Sequence, residues 1–268
     1  MPDSIIFLGT GKGGIVAGKQ LRATGGILLQ SSGSQLILDP GPGSLVKLND
    51  YNVNLRDTSA ILVSHHHNTH SSDINALIDA ITFSGLDKRC NLISTATVIN
   101  GDENHIPSVT PYHRNMFERI SVLQPGKRAS VNNIEIIALP TKHSNDNIGF
   151  KLITNNFTLV YSSDTKYDKE VIASYKDADI LILNVAEQKE SDNNLTAIDA
   201  EKIIEKVSPK LAILTHFGVS MLNSDPLQIT RDIQKNTNIQ TIAAKDGMIL
   251  TPANYAAKSK QRNLGAFR

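Results

Sequence analysis

The sequence has a single cysteine, Cys90, no tryptophan, and aromatic residues at only 5% of its 268 positions. One cysteine cannot form an intrachain disulfide and lacks the paired spacing of a zinc motif, so a disulfide framework is excluded and a reducing compartment is indicated. No apolar run approaches the roughly 18 residues that a membrane helix needs. Neither the basic nor the hydrophobic region of a signal peptide is visible, so we expect a cytoplasmic protein without a membrane segment.

An excess of charge of either sign is also absent. Twenty-seven basic and 26 acidic side chains give a formal net charge of +1, so no global field draws the protein to nucleic acid or to anionic lipid. Any site for a polyanion must therefore be local. With 40% hydrophobic residues, 17 glycines and 10 prolines, the composition is that of an ordinary folded protein and excludes disordered and fibrous classes. We expect one domain over residues 1–268.

Short apolar runs recur along the chain and predict strands. Antiparallel-looking pairs come first in each half, and each half closes with strands separated by helices, which predicts two facing sheets with helices outside. The predicted helices begin near caps such as Thr196 and Ser224 or Asp225. The predicted strands cover residues 5–8, 26–30, 35–38, 60–63, 134–139, 149–154, 157–161, 180–183, 211–214, 241–244 and 248–251. The predicted helices cover residues 73–83, 168–175, 196–207 and 226–235.

Residues 100–128 interrupt this pattern. The segment opens with a polar, turn-rich stretch around Asn100 and Asp102 and ends with a charged turn at Pro125 and Gly126. Turn residues without apolar periodicity indicate an irregular connection. We therefore expect a flap or insertion within the single domain.

Four of the eight histidines lie within six residues, 65–70, directly after a predicted strand. Imidazole is a common zinc ligand, and a loop that leaves a strand end can turn several rings toward one point. Histidines two residues apart on an extended segment project to the same side. His65 and His67 can therefore share an ion while His66 faces away. We predict a metal site here, the alternative being a polar loop that binds nothing.

In this region the chain resembles the metallo-β-lactamase superfamily. Its signature is His-x-His-x-Asp-His after a strand, followed by a histidine, an aspartate and a last histidine, and an early aspartate supports the metal loop. The resemblance covers essentially the whole chain and implies the α/β class, as a four-layer αββα sandwich with metals at one edge. The matching positions are His65, His67, Thr69 and His70, then His143, Asp164 and His216, with Asp39 as the early aspartate.

The resemblance implies a role for each matching residue. His65, His67 and His143 are the implied ligands of one metal, His70 and His216 those of a second, and Asp164 is the implied bridge. We expect Asp164, His216 and His70 to be the catalytic residues. The ligand types favour one or two zinc ions, although manganese and iron also suit nitrogen and oxygen donors. Such ions lower the pKa of bound water and supply hydroxide as a nucleophile.

One position departs from the superfamily signature. Thr69 stands where the family has an aspartate that binds the second metal, and a hydroxyl is a poor neutral substitute for a carboxylate. We therefore expect a weaker second site. Asp73 is a nearby carboxylate, for which hydrogen-bond support or a helix cap is favoured over ligation. Asp39, Thr69 and Asp73 are thus expected to support the ligands.

Four further motifs resemble the ribonuclease Z and cyclic-phosphate phosphodiesterase branch. They are the glycine-rich opening 7–14, the turn at Asp39, the segment around Asp164 and the segment around His216. This implies a metal-dependent phosphodiesterase acting on a small phosphodiester or a nucleic-acid end, and relatives in the branch suggest a homodimer. Where ribonuclease Z carries a His-Glu pair, the chain reads Asn184-Val185, which is more similar to microbial, largely archaeal, relatives of unassigned substrate.

Two other functions stay open at this point. The same nucleophile can attack a carbonyl carbon, so the chain could hydrolyse a carboxylic ester, lactone, thioester or β-lactam. An apolar pocket beside the metals would favour that function, whereas a basic pocket would favour a phosphate-containing substrate. The absence of the His-Glu pair, together with Thr69, also fits a catalytically silent protein that binds metal or nucleic acid.

Overall fold

The computed structural model describes residues 3–143 and 146–256. Within these residues, a seven-stranded sheet combines the first half of the chain with one late strand. Its members are antiparallel from the late strand through the third strand and parallel from the third to the sixth. The strands are β1 (Ser4–Phe7), β2 (Ile27–Ser31), β3 (Ser34–Leu38), β4 (Thr58–Val63), β5 (Asn91–Ser94), β6 (Arg119–Val122) and the late β15 (Ile249–Leu250).

The second half of the chain forms the other sheet with the same plan. An antiparallel meander of four strands leads into three parallel ones, and a short strand, β12, pairs with β11 at its end. The strands are β7 (Arg128–Val131), β8 (Ile134–Leu139), β9 (Gly149–Ile153), β10 (Thr158–Tyr161), β11 (Ile180–Glu187), β12 (Leu195–Thr196), β13 (Leu211–Thr215) and β14 (Thr241–Ala243).

Helices connect the strands and cover the outer faces of both sheets. Thr196 and Asp199 form a reciprocal capping box at the start of the eighth helix, and Asp225 caps the tenth, which has Pro226 in its first turn. Both starts follow from cap chemistry readable in the sequence. The helices are α1 (Gly13–Gly18), α2 (Ser44–Asp50), α3 (Asn68–Ser71), α4 (Ile74–Thr82), α5 (Ala96–Asn100), α6 (Pro111–Arg114), α7 (Lys169–Ala173), α8 (Ala197–Val207), α9 (Val219–Asn223), α10 (Pro226–Thr237) and α11 (Ala253–Ala256), with a 3-10 turn at Leu55–Asp57.

The strand alternation builds three apolar layers. Along β4, Ala60 and Leu62 belong to the core between the two sheets, whereas Ile61 and Val63 face the helices outside the first sheet. A third cluster lies between the second sheet and its helices. A sheet buried on both faces reads as a continuous apolar run. The predicted αββα sandwich is therefore confirmed.

One strand lies in a different place from the prediction. The run 248–251 was expected among the closing strands of the second half, yet β15 pairs antiparallel with β1 of the first sheet. Residues 100–128 contain α6, β6 and irregular loops; their role as a flap, like the single domain over 1–268, stays a prediction. None of the helices formed by residues 3–143 and 146–256 combines the length and apolar character needed to cross a membrane.

Candidate metal centre

The six side chains of the predicted centre all follow strand ends on one edge of the sandwich. His65 comes two residues after β4, and the loop continues through His67 to His70 on α3. His143 follows β8, Asp164 follows β10, and His216 follows β13 directly. Loops that leave the ends of neighbouring strands meet at that edge, so residues far apart in sequence converge.

Three histidines form the first group. The ligand nitrogens of His65, His67 and His143 all lie within 4.8 Å of one another. His65 is fully buried, and the other two are partly exposed. Nδ1 of His143 lies 3.1 Å from the carbonyl oxygen of Asn193, whereas its Nε2 is buried without a hydrogen-bond partner among the described residues. A buried ring nitrogen directed at two other imidazoles fits a metal ligand.

Asp164 lies at the centre of the second group. Its Oδ1 is 3.2 Å from Nε2 of His216, its Oδ2 is 3.6 Å from Nε2 of His70, and the two imidazole nitrogens are 3.2 Å apart. The ligand atoms of His65, His70 and Asp164 also lie within 4.8 Å of one another. The carboxylate is thus placed between the two sets of imidazoles. Imidazole nitrogen and carboxylate oxygen together suit zinc and similar divalent ions.

Asp39 holds one of these histidines in place. Its Oδ2 accepts hydrogen bonds from Nδ1 of His70 at 2.9 Å, from the Tyr161 hydroxyl at 2.7 Å and from Oγ of Ser64 at 2.8 Å. Its Oδ1 accepts from the Ser64 backbone N–H at 2.6 Å. An imidazole that donates through Nδ1 keeps Nε2 available as a ligand. Asp39 therefore sets the orientation and tautomer of His70.

Two supporting residues were not predicted from the sequence. Asn184 donates through Nδ2 to Oδ1 of Asp164 at 2.8 Å and to the Tyr161 hydroxyl at 3.1 Å. In the sequence, position 184 stands out only because the His-Glu pair is missing there, and in the structure its side chain contacts the Asp164 carboxylate directly. Both residues sit on buried strands, where nothing in the local pattern separates them from ordinary core positions.

Thr69 and Asp73 occupy different environments. Thr69 is partly exposed and lines the cleft that opens over the two groups. Asp73 precedes α4, its Oδ2 accepts from the backbone N–H of Leu45 at 3.0 Å, and its own N–H donates to the carbonyl of Pro40 at 3.0 Å. Asp73 thus ties α4 to the loop that follows Asp39, and its described contacts include none of the six clustered side chains.

The burial of the cluster decides its protonation. Burial, reinforced by the neighbouring His70, holds the pKa of His65 well below its usual value, and burial followed by His143 lowers the pKa of His67 to about 4. Burial also lowers the pKa of His216. These rings are neutral near pH 7, which is the form that binds a metal.

The two remaining buried groups shift in opposite directions. Burial by itself opposes ionisation of Asp164, but its close contacts with His216 and His70 outweigh burial and hold the pKa of this carboxyl well below the usual range. Burial likewise opposes protonation of His70, but Asp164 and Asp39 outweigh it and raise the pKa. Asp164 is therefore ionised, and a cation that binds at His70 has to displace a proton.

An open cleft of about 800 Å³ leads to these groups. A second groove, of about 570 Å³, shares His66 with it. As the spacing predicts, His66 turns away from the cluster, and its ring packs against that of His105 with centroids 4.0 Å apart. Most of the residues that line the first cleft have polar side chains, and the lining consists of Lys12, Gly13, Gly14, Ala17, Pro42, His66, His67, Asn68, Thr69, His143, Asp164, Asn193 and Asn194.

Most of the chain matches a known domain family. Residues 35–217, which are more than half of the chain and include all six clustered side chains, match the model of the beta-lactamase superfamily domain. The chain belongs to that superfamily. The family and the fold implied by the sequence motifs are thereby confirmed.

Three relatives show how this superfamily member compares with known proteins. The uncharacterized protein MJ1374 of Methanocaldococcus jannaschii is 33% identical over 92% of this chain and 94% of its own length. Ribonuclease Z of Methanosarcina mazei is 24% identical over 86% of this chain and 92% of its own. The probable metallo-hydrolase YhfI of Bacillus subtilis is 27% identical over 74% of this chain and 82% of its own. The crystal structure of YhfI matches with a TM-score of 0.78 and 22% identity, over 93% of this chain and 99% of that one.

Proposed function

We propose that this superfamily member is a metal-dependent hydrolase that cleaves phosphodiester bonds, either in a small ester or at a nucleic-acid end. The observation that carries the proposal is the convergence of five imidazoles and one carboxylate at a cleft lined mostly by polar residues. Similarity to a ribonuclease Z over most of both chains supports the choice of a phosphodiester.

The proposed ligands form two sets, one for each metal ion. His65, His67 and His143 hold one ion, His70 and His216 hold a second, and Asp164 lies between them. Zinc is the proposed metal, and manganese and iron also fit these donors. Bound there, a divalent ion supplies a nucleophile from water near neutral pH and Lewis acidity toward the scissile group.

The chain's own residues prepare this chemistry. Asp39 and Asn184 fix His70 and Asp164 by hydrogen bonds, which lowers the cost of reorganisation during the reaction. Asp164 is ionised and lines the cleft, so its carboxylate is already in the form that binds a cation. These three residues therefore position the ligands before a substrate arrives.

The cleft supports a phosphodiester over a carboxylic substrate. An ester, lactone or β-lactam hydrolase needs an apolar surface beside the metal for the acyl part. The described lining here is dominated by amides, imidazoles, glycine and Lys12, and its purely apolar side chains are Ala17 and Pro42. A cationic and hydrogen-bonding surface suits an anionic phosphoryl group.

Elemental analysis combined with a substrate panel tests the proposal. The panel contains bis(p-nitrophenyl) phosphate, cyclic nucleotides and short RNA, together with a lactone, a thioester and a β-lactam. We expect turnover of at least one phosphodiester, abolished in His143→Ala and retained in His113→Ala, a histidine on α6 outside the cluster. Turnover of carboxylic substrates alone, or full metal content with no turnover, would contradict it in favour of the carboxylic or the silent function.

A further inference from the structure

Lys12 brings a cationic side chain to the edge of the metal centre. Its Nζ lies 3.9 Å from Oδ2 of Asp164 and donates a hydrogen bond to Oδ1 of Asn194. The side chain is only 19% exposed and lines the cleft beside Thr69 and His67. In the sequence this lysine is only one residue of the glycine-rich opening 7–14, and no motif predicts a role for it.

The backbone fixes this lysine relative to the metal centre. The Lys12 N–H donates to the carbonyl of Phe217 at 2.9 Å, and the Phe217 N–H donates to the carbonyl of Thr10 at 2.8 Å. Phe217 directly follows His216. These backbone hydrogen bonds join the segment that carries Lys12 to the segment that carries the proposed ligand His216. The distance between the two backbone segments is therefore fixed.

The contacts of Lys12 leave hydrogen-bonding capacity toward the cleft. An ammonium group has three donors, and Asn194 takes one. At 3.9 Å the Asp164 carboxylate is beyond hydrogen-bond distance, and it already accepts from Asn184 and faces His70 and His216. Glu187, which shares a neighbouring cleft with Lys12, accepts a hydrogen bond from Ser220.

The charges around the cleft also favour an anion. Among the described lining residues, Lys12 is the one lysine or arginine and Asp164 the one carboxylate. Thr69 contributes a neutral hydroxyl, and the imidazoles with lowered pKa values contribute no charge. Divalent cations held by the six proposed ligands would leave the centre with a net positive charge, to which Lys12 adds another. A partly buried cluster of that sign attracts an anionic group.

We propose that Lys12 forms an anion subsite beside the metal centre, in which its ammonium donates to a non-bridging oxygen of the substrate's phosphoryl group. This inference rests on the proposed function, because it deepens the description of the same site. The competing role is structural, with Lys12 as a counter-ion that only positions Asp164. The two roles differ in whether anion affinity or metal content depends on the lysine.

Inorganic phosphate is the probe that distinguishes the anion-binding role of Lys12 from the structural one. Its dissociation constant is measured by calorimetry on metal-loaded parent protein, on Lys12→Met, which keeps the aliphatic stem, and on Lys12→Arg, which keeps the charge. Lys19→Met removes an exposed lysine at the end of α1 and is the matched control. Metal content is measured on every sample.

We expect Lys12→Met to weaken phosphate binding by at least about tenfold, as the loss of a charged hydrogen bond does. Lys12→Arg should stay within about threefold of the parent protein and Lys19→Met should match it, with unchanged metal content in all variants. The inference is overturned if the parent binds no phosphate, if Lys12→Met binds it as the parent does, or if Lys12→Met loses metal together with phosphate. Because binding is read without turnover, lysine-dependent phosphate binding in a protein that hydrolyses no phosphodiester supports the subsite while contradicting the proposed function.

Discussion

The hydroxyl of Tyr161 donates a 2.7 Å hydrogen bond to Oδ2 of Asp39, and this bond joins the two halves of the sandwich. Asp39 follows β3 of the first sheet, and Tyr161 ends β10 of the second. The same hydroxyl accepts from Asn184, which also binds Asp164. A continuous buried hydrogen-bond network therefore connects Asp39, which holds His70, with Asn184, which holds Asp164.

Removing that hydroxyl should destabilise the fold. In Tyr161→Phe, Asp39 and Asn184 each lose one hydrogen-bond partner at a buried site. We therefore expect the free energy of unfolding to fall by about 1–3 kcal/mol. Urea denaturation of the metal-free protein measures the change.

Tyr175 provides a matched control for that substitution. Its hydroxyl is also fully buried but has no hydrogen-bond partner among the described residues. Tyr175→Phe should therefore be neutral or slightly stabilising, since it removes an unsatisfied polar group. Equal losses of stability in the two variants would show that the Tyr161 network contributes nothing specific.

Neutralising Asp39 should weaken metal binding at the second group. In Asp39→Asn the amide nitrogen competes with the N–H and O–H donors now facing the carboxylate, so His70 loses its fixed orientation. We expect about 10- to 100-fold weaker affinity for the ion at His70 and His216, measured by competitive zinc titration. Asp73→Asn makes the same chemical change at a carboxylate that contacts Leu45 and should leave the affinity unchanged; similar losses in both variants would refute the role of Asp39.

Introducing a carboxylate at position 69 should strengthen metal binding at the second group. Thr69 lines the cleft next to His67 and Asp164, so Thr69→Asp adds an anionic oxygen near the second group. We expect more zinc bound per chain at limiting metal, measured by elemental analysis after dialysis. Thr69→Asn is the neutral control of nearly the same shape. A gain in both variants, or in neither, would contradict the argument that the neutral threonine weakens this site.

Cys90 should be unreactive in the folded protein. Its side chain is 3% exposed, and burial raises the pKa of the thiol, whereas the thiolate is the reactive form. We expect no measurable modification by a disulfide reagent over minutes under native conditions and one equivalent in denaturant. Rapid native labelling would mean that the start of β5, which directly follows Cys90, opens readily.

The sequence predicted the parts of the fold that local chemistry specifies. The apolar strand at 60–63 and the helix cap at Thr196 are confirmed, and of Ser224 and Asp225 it is Asp225 that caps the tenth helix. The antiparallel pairs that come first in each half, followed by strands separated by helices, are confirmed as well. The strands β5, β6 and β7 were not predicted, because each has four residues and β6 and β7 begin with arginine. Such short segments become strands only by pairing with a neighbour.

Long-range contacts limited the prediction of the site. The spacing of His65 and His67 predicted that both rings face the same point, and Nε2 of His65 lies 2.8 Å from Nδ1 of His67; the ion that they would share stays a prediction. The positions of Tyr161, Asn184 and Lys12 depend on how the two halves dock, which no local pattern encodes. The pairing of β15 with β1 also depends on contacts between distant parts of the chain, so it could not be predicted from the local sequence. The homodimer and the cytoplasmic location stay predictions.

Anomalous diffraction from a zinc-soaked crystal tests the central claim most directly. The strongest zinc peak should lie among the three histidines of the first group, with nitrogens of His65, His67 and His143 at about 2.0–2.1 Å from it. A weaker peak should lie near His70, Asp164 and His216, and it should strengthen in Thr69→Asp crystals. Absence of zinc from both positions, or zinc held only at His66 and His105, would contradict the account.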